Sequence, residues 1–221
     1  MELIQNISVA VLPPLYIIYF IYKNDLYEKE PHELLIKTFF LGCIVVVPAL
    51  VIELIFDKNF FNNTFLYAMI GVALAEEGSK FFFLRYFNYK KNDFNEPYDG
   101  IMYAVVISMG FALVENIFYV FGNEGQEISV GFLRMFTAIP LHATCGIVMG
   151  YYMGIAKLNI DQRTRSLILS VLFPVIIHGL YDYFIFAGYG IIFSLLILII
   201  AFYFSNKSIK IHQTNSPFKP N

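Results

Sequence analysis

Residues 65–87 form a stretch long enough to cross a bilayer, yet Glu76, Glu77 and Lys80 sit inside it. Insertion scales assign about 2.5–3.5 kcal/mol to each Asp, Lys or Arg at the centre of a spanning helix. Three ionisable groups nearly cancel the gain from the apolar residues around them. Such a helix is stable in lipid only if its charged face is turned toward other protein or a wet cavity. The chain must therefore surround this segment with further helices. The cluster itself is a candidate functional site, because ionisable groups at that depth are otherwise too unfavourable.

The rest of the chain supplies the surroundings. It is 58% hydrophobic and 14% charged, against about 45–50% and about 25% in soluble domains. The mean hydropathy is +0.63. Seven stretches reach the ~20 residues a span requires: 3–22, 34–56, 64–87, 100–121, 130–156, 166–187 and 189–205. The expected fold class is all-α, a polytopic membrane-embedded helical bundle of about seven spans. One transmembrane domain is expected over 1–205, with a short polar, mobile tail over 206–221. The first stretch holds Pro13-Pro14, follows no basic residue and precedes no small-residue cleavage site, so it reads as a retained span. A net charge of −2 gives no basic surface for nucleic acid, and no nucleic-acid partner is expected. Cys43 and Cys145 lie in separate apolar stretches and read as small buried hydrophobes, with no disulfide and no zinc-finger spacing. The many Phe and Tyr residues read as lipid-facing surface and interfacial belt.

Basic residues set the expected orientation. With the N-terminus outside, the cytoplasmic loops and tail hold Lys23, Lys29, Lys90, Lys91, Lys157, Arg163, Arg165, Lys207, Lys210 and Lys219. Lys37 and Arg85 lie at cytoplasmic helix ends, and only Lys58 and Arg134 fall on the other side. This asymmetry favours N-out, C-in.

Four spans carry further polar residues. Glu76 and Lys80 are four apart and share a helix face, whereas Glu77 is turned about 100° away. The fourth span holds Phe111 one turn before Glu115-Asn116. The fifth holds Arg134, near its outer end and able to snorkel, then Pro140, expected to bend the helix, and His142. In the sixth, His178 and Asp182 are four apart, so each can orient the other. Counted from the outer ends, Glu76, Glu77 and His142 lie roughly 12–14 residues in, near ~20 Å at 1.5 Å per residue. Glu115, His178 and Asp182 reach a similar zone from the opposite chain direction. One site built from four helices, between the midplane and the outer leaflet, is expected. Glu53, near an outer helix end, reads as solvated.

This residue set suits more than one chemistry. A Glu in a low-dielectric site can act as general base, with a His sharing the attacking water or stabilising an oxyanion. Alternatively His142, His178 and Glu77 make a three-ligand set of the catalytic zinc kind, with Zn²⁺ as candidate ion. The same groups could form a proton or cation relay in a transporter, though no inverted repeat of the transporter kind is visible. A silent scaffold that binds a partner helix is a third reading.

The ordered motifs Glu76-Glu77-Gly78-Ser79-Lys80, Phe111 to Glu115-Asn116, Arg134 with His142, and His178 to Asp182 resemble the PrsW family of intramembrane proteases. That family is distantly similar to the CAAX-processing and bacteriocin-processing proteases. The resemblance implies a multi-pass peptidase of the bacterial plasma membrane. It implies a single-span membrane protein as substrate, an anti-sigma factor receiving its first cut on the extracytoplasmic side of the lipid bilayer. An extracytoplasmic-function sigma factor would then be released. It also implies Glu76, Glu77 and His178 as essential residues, then His142 and Glu115, with Lys80, Asn116, Asp182, Arg134 and Phe111 in support.

Overall fold

The computed structural model describes residues 2–123 and 125–220, and every regular element among them is helical. The long helices are α1 (Glu2–Asn24), α2 (His32–Ile55), α6 (Pro97–Phe121), α9 (Arg163–Phe186) and α10 (Ile191–Thr214). Between α2 and α6 run α3 (Lys58–Phe61), α4 (Thr64–Leu66), a π-helical segment (Tyr67–Leu74) and α5 (Ala75–Phe87). Helices α7 (Glu127–Phe136) and α8 (Ala138–Leu158) complete the order.

By length and apolarity six of these could cross a membrane, taking Glu127–Leu158 as one. Residues 64–87, the stretch that carries the three charges, run on from α4 through the π segment into α5. The expected fifth span is broken at Thr137 (φ −127°, ψ −81°). Pro140 lies in the first turn of α8, where its missing N–H leaves no bond unmade, so the break falls ahead of it. The expected tail is helical as far as Thr214 and is tied down: Gln213 donates to the Asn24 carbonyl at 2.6 Å.

Helix α6 is the axis. Residues 97–112 are buried without interruption, on every face of the helix, as expected of a helix enclosed by others. Close approach to α8 depends on glycine: a Cβ on Gly100 would stand 2.3 Å from the Gly150 carbonyl oxygen. Small residues at such crossings let two backbones touch where lipid offers no hydrophobic drive. The outer helices instead expose large apolar side chains such as Leu54, Ile192, Ile199 and Phe202, the surface a lipid-embedded bundle presents. Cys43 and Cys145 are both free thiols.

Candidate active site

The charged segment begins where helix geometry changes. The wider π turns over residues 67–74 end two positions before Glu76 and pack against α9. Gly179 permits this, since a Cβ there would meet the Met69 sulfur at 2.3 Å. π turns inside a helix shift the facing of everything that follows and recur at functional sites. Here they bring the start of α5 against His178 on α9.

Lys80 is fully buried and binds both glutamates. Its Nζ lies 3.1 Å from Glu76 Oε2 and 2.8 Å from Glu77 Oε1. Glu77, expected to be turned away from Lys80, is thus its nearer carboxylate. Residues three apart on a helix are neighbours as well as those four apart. The same ammonium donates to His142 Nδ1 at 3.1 Å and sits 4.0 Å above the Phe111 ring. Phe111 therefore stabilises the cation through its π face.

Lys80 has only donors, so His142 Nδ1 must accept and its proton resides on Nε2. That nitrogen lies 2.7 Å from Glu115 Oε2. His178 differs: Nδ1 is 2.9 Å from Glu77 Oε1 and Nε2 is 3.3 Å from Asp182 Oδ2. Carboxylates only accept, so Nδ1 donates to Glu77, while the 3.3 Å contact of Nε2 with Asp182 is an ion-pair distance outside hydrogen-bond geometry. Glu77 Oε1 is also 4.0 Å from His142 Nδ1, so Glu77 touches both histidine neighbourhoods.

Arg134 does not snorkel. It is buried, its Nη2 lies 3.0 Å from Glu115 Oε2 and its Nε donates to Asn116 Oδ1 at 2.8 Å. The fork of a guanidinium can reach both acceptors at once, which overrides its tendency to seek the interface. Asn116 in turn donates to the Val9 and Ala10 carbonyls of α1 at 3.3 and 3.0 Å. These two carbonyls are the ones that Pro13 and Pro14 leave without an i−4 donor. A chain of polar contacts thus runs from α1 through Asn116, Arg134, Glu115, His142, Lys80, Glu77 and His178 to Asp182.

A cleft of about 470 Å³ reaches this chain, with Glu76, Glu115, Arg134, His142, His178 and Asp182 on its wall. Glu77 lies behind that wall, with no exposed surface. Glu53 also lines the cleft and is not simply solvated. Its place on α2 gave no hint of this, because which face of α2 meets the π segment is a tertiary matter.

Glu76, Glu77, His142 and His178 each offer a donor atom, all within 4.8 Å of one another. Glu77 Oε2 is buried with no hydrogen-bond partner. Two carboxylates and two imidazoles are a fitting donor set for a zinc-type ion, and the orphaned oxygen is a free ligand atom. The Lys80 ammonium now shares three of these four partners.

Residues 30–205 match the model of a family described as PrsW family intramembrane metalloprotease. A protein named Protease PrsW from Oceanobacillus iheyensis is 35% identical over 207 residues, 91% of this chain and 94% of that one. Its namesake in Halalkalibacterium halodurans is 36% identical over 177 residues, 80% of this chain and 81% of that one. The one from Bacillus subtilis is 34% identical over 179 residues, with 80% and 81% covered. No solved structure matches. The match favours a membrane peptidase acting on membrane proteins over the transport and scaffold readings. With its apolar, lipid-facing helices, this multi-pass protein of the bacterial cell membrane belongs to the PrsW family of intramembrane proteases.

Proposed function

We propose that this protein makes the first cut in a single-span, membrane-anchored anti-sigma factor, and so starts release of an extracytoplasmic-function sigma factor. The observation that carries the peptidase reading is the meeting of Glu76, Glu77, His142 and His178 beside a cleft that reaches toward the less basic end of the bundle. With the N-terminus outside, that end faces away from the cytoplasm. The anti-sigma factor as substrate rests on the family resemblance alone.

Glu76 is the general base. It lines the cleft, and its Oε2 lies 3.9 Å from both His142 Nδ1 and His178 Nδ1. Those gaps are too long for direct hydrogen bonds, so Glu76, held only by Lys80, is free to meet an attacking water from the cleft. As the water oxygen adds to the scissile carbonyl carbon, Glu76 takes one of its protons. The carbonyl oxygen becomes an oxyanion, and His178, protonated on Nε2 where no hydrogen bond to Asp182 is made, donates to it. When the C–N bond breaks, the leaving nitrogen receives the proton from Glu76, so one water is consumed and Glu76 is restored. Glu77 and Asp182 hold His178 from its two nitrogens, while Lys80 balances Glu76 and Glu77 together. Glu115 fixes the ring of His142. Glu76, Glu77, His142 and His178 would hold a zinc-type ion, which when bound supplies Lewis-acid polarisation and an activated water.

Co-expression with a tagged single-span anti-sigma factor tests this. Wild type is expected to yield the shortened product. Glu76→Gln, Glu77→Gln and His178→Ala are expected to leave the substrate intact while the proteins insert and fold. Full cleavage by any of these variants would remove that residue from the mechanism. Cutting of other single-span proteins but never the anti-sigma factor would overturn the substrate and leave the peptidase standing.

A further inference from the structure

At the opposite end of α6, far along the chain from Glu115, a second carboxylate cluster has no part in the chemistry above. The loop between α1 and α2 contributes Asp25, Glu28 and Glu30, and the start of α6 contributes Glu96 and Asp99. Asp25 and Glu30 are 2% exposed, Glu96 1% and Asp99 not at all. One oxygen each from Glu28, Glu30 and Asp99 lies within 4.8 Å of the others.

Part of the cluster has an ordinary explanation. Glu96 and Asp99 form a capping box on α6, with Asp99 Oδ2 accepting from the Asn95 and Glu96 amides at 2.7 Å each. A cap does not call for Asp25, Glu28 or Glu30. Nor does it use the second oxygen of Asp99.

The distribution of partners is the telling feature. Each of several carboxylates has one oxygen held by a protein donor: Glu30 Oε2 by the Tyr103 hydroxyl, Glu96 Oε2 by the Ser216 hydroxyl, Asp99 Oδ2 by the two amides. The remaining oxygens Glu30 Oε1, Asp99 Oδ1 and Glu28 Oε2 are buried with no partner, as are both oxygens of Asp25. Lys29, the one basic residue of the loop, turns its ammonium to the Tyr22 and Asp25 carbonyls instead. Donors that fix one oxygen and leave the other free are how outer partners orient metal ligands.

We propose that Glu28, Glu30 and Asp99, backed by Asp25, bind a divalent cation of the hard, oxygen-seeking class, Ca²⁺ or Mg²⁺, that clamps the α1–α2 loop to the base of α6. An all-oxygen, all-carboxylate set without His or Cys selects for such ions over zinc. The proposal does not depend on the proteolytic mechanism. It predicts a second ion site at the end of the bundle that carries most of the lysines and arginines. Through Ser216 on Glu96 it also joins the C-terminal segment to the clamp. A shared proton between Glu30 and Asp99, whose side chains lie within hydrogen-bonding reach, is the competing occupant.

The test uses full-length protein in detergent micelles, stripped with chelator and exchanged into cation-free buffer at neutral pH. Thermal unfolding is followed on adding Ca²⁺ or Mg²⁺. Binding is read separately by Tb³⁺ luminescence excited through tyrosine, because Tyr103 touches Glu30. A saturable rise in Tm of about 2–4 °C or more, with tyrosine-sensitised Tb³⁺ emission displaced by the preferred ion, is expected. Glu28→Gln, at the partly exposed edge, and Asp99→Asn should weaken binding at least ten-fold. Glu77→Gln should leave the Tb³⁺ signal intact. If Asp99→Asn fails to fold, Glu28→Gln decides. Wild type whose stability follows pH but ignores millimolar Ca²⁺ and Mg²⁺ would overturn the proposal in favour of the proton. Emission that persists in Glu28→Gln, or disappears in Glu77→Gln, would overturn it by moving the ion elsewhere.

Discussion

The side-chain amide of Asn116 donates, at 3.0 Å, to the carbonyl of Ala10, which Pro14 deprives of its helical donor. Val9, paired in the same way with Pro13, receives the second and longer bond. The double proline of α1 is therefore half of a joint whose other half is on α6. Through Arg134 that joint is continuous with Glu115 and His142.

Asn116→Ala is expected to leave two carbonyls and one guanidinium nitrogen short of partners. The cost should be about 1–3 kcal/mol, read as a lower unfolding temperature in detergent. Adding Pro14→Ala restores an amide to the Ala10 carbonyl, so the double variant should unfold at a higher temperature than Asn116→Ala alone. If the second change brings no recovery, the proline carbonyls are not what Asn116 serves.

Lys80→Met should be among the most damaging single changes. It leaves Glu76 and Glu77 buried beside each other with no cation, a loss of roughly 3–5 kcal/mol for breaking a buried pair. Removing one carboxylate as well should relieve it. Lys80→Met with Glu77→Gln is expected to be more stable than Lys80→Met, though still inactive, when compared by thermal unfolding and substrate cleavage.

Asp182→Asn keeps the shape of α9 but weakens the hold on His178 Nε2, 3.3 Å away. Cleavage should slow by roughly ten- to a hundred-fold with little change in Tm. An unchanged rate would show that Glu77 alone orients the ring.

Gly100→Ala places a Cβ 2.3 Å from the Gly150 carbonyl oxygen. Backbone cannot yield as a flexible side chain can, so α6 and α8 must separate, at a cost of about 1–3 kcal/mol. These helices carry Glu115 and His142, so activity should fall further than stability does. Equal activity and Tm in Gly100→Ala and wild type would contradict the tight crossing.

Much of the site was legible in the chain because the relevant physics is local. Apolar runs mark the helices, and charge inside one of them marks a buried site, since lipid offers no partner. Helical spacing alone pairs Glu76 with Lys80 and His178 with Asp182, and depth counting brings Glu115 and His142 near them. What only the tertiary structure decided is which helix faces meet. The π turns at 67–74, the burial of Arg134 on Glu115 and Asn116, Glu53 on the cleft and the carboxylates of Asp25, Glu28, Glu30 and Asp99 all rest on such meetings. Asn116 and Ala10 stand 106 positions apart. Helical periodicity tells which residues share a side of one helix, but the rotation of one helix against another is set by packing among groups distant in the chain.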